Sequence, residues 1–494
     1  MVFSTVIFLC AFLPITIIAY YSMPKACKNY VLLLASLFFY AWGEPRAVFV
    51  MLFSILCNYL LGLGITSARR KKLFLGLALF ANLGILFVFK YLTFATENLH
   101  RLSGRIPIVQ IALPIGISFY TFQGLSYVID VYRGEEAQKN PFSLALYISM
   151  FPQLIAGPIV RYADVSRQLK ERVHDPQLFY EGSRRFILGL AKKVILANQM
   201  GALADLIMES DYSVMSTPAA WLGTLAYTLQ IYLDFSAYSD MAIGLGKLFG
   251  FSFKENFDMP YLSTSVREFW RRWHMSLSGW FRDYLYIPLG GSRTGNVYLH
   301  LFIVFLATGI WHGAGWGFLF WGIWHGMFVI AERAVGKSLP GKKGQDARLQ
   351  KQAGRSVLSK LAGGVYTMLV VMIGWTLFRI VEIGPFFAYL KVLLGLRAGT
   401  YTAFGLRHYL TNQRIFYLVL SILVSLLLDR WIKEPFVKRI ISRKEGKAGE
   451  NKKVSDGLLF AIDTAEKLLL LLLLIICFIF MINSTYNPFI YFRF

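Results

Sequence analysis

Two histidines in the stretch 308–326 are the first candidates for chemistry in this chain. The stretch reads TGIWHGAGWGFLFWGIWHG and contains the pentapeptide GIWHG twice, which places histidines at positions His312 and His325. A neutral imidazole accepts a proton near pH 7, so histidine is well suited to general-base catalysis. An ionisable side chain inside an apolar segment is costly to bury, and its presence there is a hypothesis of function.

The spacing of these two histidines argues against their acting as a pair. They are 13 residues apart, which on a straight helix separates them by about 20 Å along the axis. His312 follows Trp311 and precedes the small residues of GAGWG, at an expected break between two helices where a substrate or another backbone can approach. His325 lies in a more regular helical stretch, where packing beside a hydrogen-bonded neighbour is expected. The context therefore favours His312 as the catalytic residue.

A second stretch, SVREFWRRWHMSLSGWFRDYLYIPLGG at 265–291, combines charged and aromatic side chains. It contributes His274, and seven of the eleven tryptophans of the chain fall between residues 270 and 324. Arginine clusters bind phosphate and carboxylate groups. A cytoplasm-facing funnel for an anionic, phosphate-bearing ligand and a cationic anchor at the membrane surface both fit this pattern.

The surroundings of these residues are those of a membrane protein. The chain has 494 residues, of which 56% are hydrophobic and 16% are charged, whereas soluble proteins carry about 25% charged residues. Apolar runs of roughly 20 residues, the length that a helix needs to cross a bilayer, recur along the chain. We expect an all-α polytopic membrane protein with about 11–12 transmembrane helices, forming a single domain over residues 1–494.

The placement of charge predicts the orientation of the chain. The net charge is +23, and the basic residues cluster in short loops between apolar runs. The positive-inside rule explains this arrangement, so nucleic acid is not an expected partner. Residues 335–361 are one such predicted cytoplasmic loop, and the parity of the spans between basic loops places both the N-terminus and the C-terminus outside.

Two further stretches do not fit regular membrane spans. Residues 142–158 are short and carry Pro152, Gly157 and Pro158, whereas residues 254–298 are too polar to face lipid. Non-helical backbone at membrane depth persists only where protein or water satisfies its polar groups. We expect both stretches to be re-entrant or interfacial segments that line a cavity, with 254–298 forming the funnel.

Missing motifs narrow the function classes. The sequence has no GxGxxG, Walker-type loop, HExxH or GxSxG motif, which argues against nucleotide hydrolysis and the common hydrolases. None of the four cysteines belongs to a CxxC pair, so neither a disulfide framework nor a metal site is expected. For the acids in apolar runs, pairing with a buried Arg or Lys is the expected role; these are Asp130, Asp234 and Asp240.

The chain resembles the membrane-bound O-acyltransferase family, and in particular its bacterial branch for alginate O-acetylation. The motifs EFWRRWHMSLSGWFRDYLYIPLGG and GIWHGAGWGFLFWG carry the resemblance, and LPIGISFYTFQGLSYVIDVYRG, FPQLIAGPIVRY and YLDFSAYSDMAIG match the same branch. The likeness covers essentially the whole chain. It implies an acyltransferase with a central tunnel and an invariant histidine near its middle, which corresponds to His312, while His274 matches the second polar position of the family.

The resemblance also implies roles for the residues of both motifs. His312 would be the general base, and His274 would orient the substrate or polarise its carbonyl. The donor would be a cytoplasmic thioester, with acetyl-CoA expected and a carrier-protein thioester as the open alternative, used as a substrate without any bound cofactor or metal. The residues expected to bind this donor are Arg271, Arg272, Trp273, Arg282, Asp283 and Trp311, with Asp283 holding an arginine in place.

The acceptor implied by the resemblance lies outside a bacterial cytoplasmic membrane. It would be a hydroxyl of a polysaccharide or of an extracytoplasmic SGNH-hydrolase-like partner protein. Two alternatives stay open. Transfer of D-alanyl groups to a wall polymer is one, because the closing PFIYFRF resembles members that modify teichoic acids. A transporter or channel for an anionic polymer is the other, because broken helices and a membrane histidine suit transport as well.

Overall fold

The structure is a computed structural model that describes residues 1–67, 69–155, 157–338, 356–396, 405–428, 456–484 and 486–488. Across these residues the secondary structure is helical and includes no β-strand. Among these described residues, five helices are long and apolar enough to cross a membrane: Ala47–Ser67, Lys71–Ser103, Pro176–Met208, Val357–Arg379 and Gly457–Asn483. Shorter apolar helices are Phe8–Ser22, Val297–His312, Ile383–Leu393 and Asn412–Leu427. The predicted class, an all-α polytopic membrane protein, is confirmed.

The α-helices are numbered in chain order within the described residues. The first eleven are α1 (Leu13–Ser22), α2 (Lys28–Gly43), α3 (Ala47–Ser67), α4 (Lys71–Leu86), α5 (Leu92–Ser103), α6 (Ile117–Arg133), α7 (Pro141–Ser149), α8 (Phe151–Leu154), α9 (Tyr162–Lys170), α10 (Pro176–Ala191) and α11 (Asn198–Met208). The remaining ten are α12 (Thr217–Leu248), α13 (Val266–Arg272), α14 (Met275–Phe281), α15 (Val297–His312), α16 (Trp316–Ser338), α17 (Val357–Arg379), α18 (Ile383–Leu393), α19 (Leu406–Tyr409), α20 (Asn412–Leu423) and α21 (Asp456–Asn483). Wider π-helical turns extend several of them, at Phe8–Phe12, Phe87–Tyr91, Lys192–Ala197, Arg282–Tyr286 and Val424–Leu428.

These helices group into two compact units. The first comprises Met1–Asn198, Leu233–Glu255 and helix α21. Its core is rich in phenylalanine, with Phe8 and Phe12 both packed against Phe39 and Phe151. The predicted irregular stretch 142–158 belongs to this unit and forms the two short helices α7 and α8 instead of one span.

Buried ion pairs join the helices of the first unit. Asp240 pairs with Arg185 at 2.7 Å and with Lys192 at 2.6 Å, and Asp234 pairs with Lys193 at 2.8 Å. All five side chains are almost fully buried. The prediction that Asp234 and Asp240 pair with buried basic residues is confirmed, and it fits the rule that a charge inside a membrane protein is paired.

Asp130, the third acid in an apolar run, lies on α6 of the same unit. Its carboxylate accepts a hydrogen bond from the backbone N–H of Ala163 at 3.2 Å. Pairing of Asp130 with a basic residue stays a prediction.

The second unit comprises Gln199–Tyr232 and the described residues between Asn256 and Leu428, and it contains both candidate motifs. Helices α15 and α16 pack closely against each other. At Gly309 a Cβ atom would lie 2.4 Å from the carbonyl oxygen of Phe318, and at Gly322 it would lie 2.5 Å from that of Phe305. Glycine at these two positions therefore lets the backbones meet, and the predicted break between the helices is confirmed.

The predicted funnel segment 254–298 consists of short elements, mainly α13 and α14. Ser265 caps α13 by accepting a hydrogen bond from the backbone N–H of Glu268 at 3.1 Å. The carboxylate of Glu332 on α16 accepts further hydrogen bonds from the N–H groups of Val266 and Arg267, at 2.7 and 3.0 Å. These bonds satisfy the first turn of α13 and attach this helix to α16.

Some predictions concern residues that the structure does not describe. Residues 339–355 of the predicted cytoplasmic loop 335–361 lie outside the described residues, and so do residues 489–494 at the C-terminus. The single domain over residues 1–494 stays a prediction.

Candidate active site

His312 ends helix α15 and lies against three aromatic rings. The centroid of its imidazole is 5.0 Å from that of Trp311, 4.9 Å from that of Trp321 and 5.1 Å from that of Phe378, and each contact is edge-to-face. After His312 the backbone leaves the helix, with Gly313 extended at φ −169°. Three ring contacts and a position at the helix end hold the half-buried imidazole in one place, as a catalytic base requires.

His274 lies at the start of helix α14 and is 1% exposed. Its backbone is in the left-handed region at φ 44°, a conformation that costs a residue other than glycine about 1–3 kcal/mol. Its Nδ1 atom is 3.1 Å from Oδ1 of Asn256, and the next backbone N–H, that of Met275, donates to the carbonyl oxygen of Asn256 at 2.8 Å. Asn256 therefore fastens both the side chain and the strained backbone around His274.

One indole links the two histidines that were predicted to be catalytic. The ring centroid of Trp311 is 5.0 Å from that of His312 and 6.3 Å from that of His274. The two histidines are far apart in sequence, on different helices, and the fold brings them to the same tryptophan. Their catalytic roles stay predictions, and their common contact with Trp311 places both side chains in one aromatic cluster.

The predicted donor-binding charges lie along α13 and the turn after α14. Arg271 is exposed, and Arg272 forms an ion pair with Glu268 at 2.9 Å. Arg282 forms two parallel bonds with the carboxylate of Asp283, at 2.7 and 3.0 Å. The arginine partner expected for Asp283 is thus present, and this two-point contact fixes the plane of the guanidinium group. Binding of a donor by these residues stays a prediction.

Trp273 differs from the other predicted donor-binding residues because it is buried inside the second unit. It is 3% exposed, and its ring centroid is 4.7 Å from that of Trp375 and 5.0 Å from that of Phe257. These contacts make it part of an aromatic cluster that reaches His274 through Phe257. Its packing role is observed, and its role toward the donor stays a prediction.

His325 is fully buried in the same unit. Its ring centroid is 5.0 Å from that of Trp270 and 5.1 Å from that of Trp321, and neither ring nitrogen has a hydrogen-bond partner among the described residues. The expected packing role is found, whereas the expected hydrogen-bonded neighbour is not. His325 and His312 share Trp321, so they are much closer than a straight helix would place them, because the chain turns between α15 and α16.

Two residues of this site were not identified from the sequence. Asn256 precedes His274 by 18 residues, and no local pattern connects them. Phe378 lies on the apolar helix α17, which reads as an ordinary membrane span. The only sequence signal was the polar character of 254–298, which marked the region of Asn256 without distinguishing the residue.

The side chains gathered here favour proton transfer. Among the described residues no group of three or more His, Cys, Asp or Glu side chains is placed to hold a metal ion. The imidazoles of His274 and His312 contact the indole of Trp311 and provide a base and a hydrogen-bonding group among apolar side chains. Such a set is suited to deprotonating a hydroxyl group as it attacks a carbonyl carbon.

Comparisons with known proteins agree on one family. The sequence model of the membrane-bound O-acyltransferase family, MBOAT, matches residues 3–340. The chain is 44% identical over 393 residues to a protein named probable alginate O-acetylase AlgI from Pseudomonas aeruginosa, which covers 77% of this chain and 72% of the relative. It is 34% identical over 436 residues to a peptidoglycan O-acetyltransferase from Helicobacter pylori, covering 80% of each chain. It is 30% identical over 222 residues to a teichoic acid D-alanyltransferase from Bacillus subtilis, covering 40% of this chain and 53% of the relative.

Proposed function

The chain belongs to the membrane-bound O-acyltransferase family, and from this premise we propose that it transfers acetyl groups from a cytoplasmic thioester to a hydroxyl outside the membrane. Membership makes it an O-acyltransferase that is embedded in a membrane by several helices. The identity of the acyl group, the donor and the direction of transfer belong to the proposal. The observation that carries it is the meeting of His274 and His312 at Trp311.

The choice of acetyl over D-alanyl follows from the extent of the similarity. The two O-acetylating relatives match 77% and 80% of this chain, at 44% and 34% identity. The D-alanyltransferase matches only 40% of it, at 30% identity. The names of the O-acetylating relatives specify alginate and peptidoglycan, so a polysaccharide is the proposed acceptor class.

In the proposed reaction His312 is the general base. One of its ring nitrogens takes the proton of the acceptor hydroxyl while the oxygen attacks the carbonyl carbon of the thioester. The new carbon–oxygen bond forms, the carbon–sulfur bond breaks, and the imidazolium returns its proton to the departing thiolate. The product is an ester and a free thiol. A positioned base of this kind contributes about 10²–10⁴-fold to the rate.

The proposed donor is acetyl-CoA, bound through its phosphates at the cytoplasmic face. Arg271 is exposed, and Arg282 keeps most of its side chain exposed while Asp283 holds it. Guanidinium groups bind phosphates through paired hydrogen bonds, which makes them suitable for a nucleotide diphosphate. Only the acetyl group then has to pass to the other side, and the nucleotide stays in the cytoplasm.

The proposed setting is the cytoplasmic membrane of a bacterium, with both termini outside. The acceptor hydroxyl is that of the polysaccharide itself or that of an extracytoplasmic SGNH-hydrolase-like partner, which would pass the acetyl group on. The sequence resemblance supports this partner, and the experiment below separates the direct route from the relay.

The test is acetyl transfer across a sealed vesicle. The purified protein is reconstituted into liposomes. [¹⁴C]acetyl-CoA is supplied on the side of the membrane where Arg271 is exposed, and alginate or peptidoglycan fragments are supplied on the other side. We expect radioactive ester on the acceptor side, matched by free thiol on the donor side. Label that appears only after an SGNH-type partner is added would select the relay. Passage of polymer without ester formation would reject the proposal in favour of a transporter, and ester formed only from a D-alanyl carrier thioester would select the other acyl group.

A further inference from the structure

We propose that Asn256 is a positioning residue that fixes His274 in the tautomer with the proton on Nδ1, so that Nε2 accepts a hydrogen bond from the hydroxyl-bearing acceptor. The inference rests on the proposed acyl transfer and deepens it. It chooses between the two roles that the sequence leaves open for His274, orienting a substrate and polarising a carbonyl.

The first step is the orientation of the Asn256 amide. The backbone N–H of Ser276 points at Oδ1 of Asn256 over 3.1 Å, and the Ser276 hydroxyl donates to the same atom at 2.8 Å. A backbone N–H is always a donor, so the atom that it meets must be the amide oxygen. The opposite orientation would place an NH₂ group against that N–H. The oxygen of Asn256 is therefore assigned by an unambiguous partner.

The second step is the tautomer of His274. The same oxygen lies 3.1 Å from Nδ1 of His274. Because an amide oxygen only accepts, Nδ1 must carry the hydrogen of this bond. A neutral imidazole has a single N–H, so Nε2 then bears a lone pair and acts as an acceptor.

The tautomer decides what His274 does to a substrate. Polarising a thioester carbonyl requires a donor, which Nε2 of this tautomer is not. Accepting a hydrogen bond from an O–H group is what it does well, and a polysaccharide offers several neighbouring hydroxyl groups. His274 thus orients the acceptor, and His312, which contacts the same Trp311 ring, removes the proton of the attacking hydroxyl.

The backbone around Asn256 makes this arrangement rigid. Its carbonyl oxygen accepts from the N–H of Met275 at 2.8 Å, and two residues later the N–H of Asp258 donates to the carbonyl oxygen of Arg272 at 2.9 Å. These two bonds bracket His274 and hold its left-handed backbone. Asn256 is 1% exposed, so water does not compete for its oxygen.

Two variants of Asn256 distinguish the effect of its hydrogen-bond acceptor on His274 from the effect of its packing. Asn256→Ala removes the acceptor, whereas Asn256→Asp keeps an oxygen at the same place. The Nδ2 group of Asn256 has no hydrogen-bond partner among the described residues, so the aspartate variant loses no hydrogen bond. We measure kcat, KM and their pH dependence in the vesicle assay, with folding checked by thermal unfolding of the purified protein.

We expect Asn256→Ala to lower kcat about tenfold or more, and to change KM for the donor by less than about twofold. Asn256→Asp should restore most of kcat at high pH. Its activity should begin at a higher pH than that of the wild type, because a carboxylate on Nδ1 stabilises the imidazolium, whose Nε2 no longer accepts. A structural role alone would not move the pH profile.

Asn82→Ala is the matched control for deleting a buried asparagine. Asn82 is 1% exposed, and its side chain exchanges hydrogen bonds with that of Asn58 in the first unit. We expect this variant to lose thermal stability and to keep the wild-type kcat per folded molecule.

The possible outcomes distinguish a failure of this inference from a failure of the proposed acyl transfer on which it rests. If the wild-type protein forms no ester, the proposed function is rejected, and the role inferred for Asn256 is rejected as well. A wild type that is active, together with a folded Asn256→Ala variant within about twofold of its kcat, rejects only the inference. An aspartate variant with an unshifted pH profile also rejects it, and this test holds even where the alanine variant does not fold.

Discussion

Nε2 of His325 faces Gly374 so closely that a Cβ atom at position 374 would lie 2.3 Å from it. Helices α16 and α17 meet at this contact, and the imidazole occupies the space that a side chain of α17 would take. His325 packs on Trp321, which also contacts His312. Glycine at position 374 therefore allows His325 to pack on Trp321, which in turn contacts the candidate base His312.

Gly374→Ala tests this contact. We expect it to destabilise the protein by about 1–3 kcal/mol, because the added methyl group overpacks a filled core, and to lower the temperature of thermal unfolding. Gly364→Ala lies on the same helix, and its Cβ would meet nothing within 4 Å, so it should leave this temperature unchanged or raise it. Adding His325→Ala to Gly374→Ala should recover part of the loss. Equal unfolding temperatures for Gly374→Ala and the wild type would contradict the close contact between His325 on α16 and Gly374 on α17.

Asp240 holds two buried cations of the first unit, Arg185 and Lys192. Asp240→Asn should cost about 3–5 kcal/mol, because the buried Lys192 loses the carboxylate of Asp240, although Arg185 keeps its ion pair with Glu255. Thermal unfolding and the yield of folded protein measure this loss. Lys254→Ala is the control, because Lys254 pairs with Asp164 while 62% exposed, and an exposed pair contributes at most about 1 kcal/mol. Similar losses of stability from Asp240→Asn and Lys254→Ala would contradict the conclusion that the buried ion pair contributes more than the exposed one.

Arg282 tests the donor-binding surface. Arg282→Ala should raise KM for acetyl-CoA about five- to tenfold and leave kcat unchanged, because a contact to the phosphates is the same in the ground state and the transition state. Initial rates at varied donor concentration measure the two constants. Arg293→Ala removes another exposed arginine and should change neither. A fall in kcat at constant KM would place Arg282 in the chemical step or in the fold, and not at the donor phosphates.

The sequence predicted the fold class and the region of the site, for reasons that the structure makes plain. Apolar runs define membrane helices whatever their neighbours are, and the small residues after His312 marked a true helix end. The identity of Asn256 was beyond this reasoning, since its contact with His274 joins segments 18 residues apart. The neighbour relation of His312 and His325 was also missed, because a straight-helix estimate ignores a reversal of the chain.

The burial of Trp273 shows a second limit of sequence reasoning. A tryptophan beside an arginine cluster is typical of a ligand contact or of an interfacial belt. The sequence does not show that Trp273 follows the end of α13 in an extended conformation. Only the packing of α13 against α16 and α17 places Trp273 on Trp375 and leaves Arg271 exposed.

The rate of ester formation by His312→Ala tests the central claim most directly. The variant is compared with the wild type in the sealed-vesicle assay at saturating donor, with equal amounts of folded, reconstituted protein. With His312 as the base, the turnover number should fall about 10²–10⁴-fold, while thermal unfolding stays close to that of the wild type because the side chain is only half-buried. Turnover within a few-fold of the wild type would contradict the account.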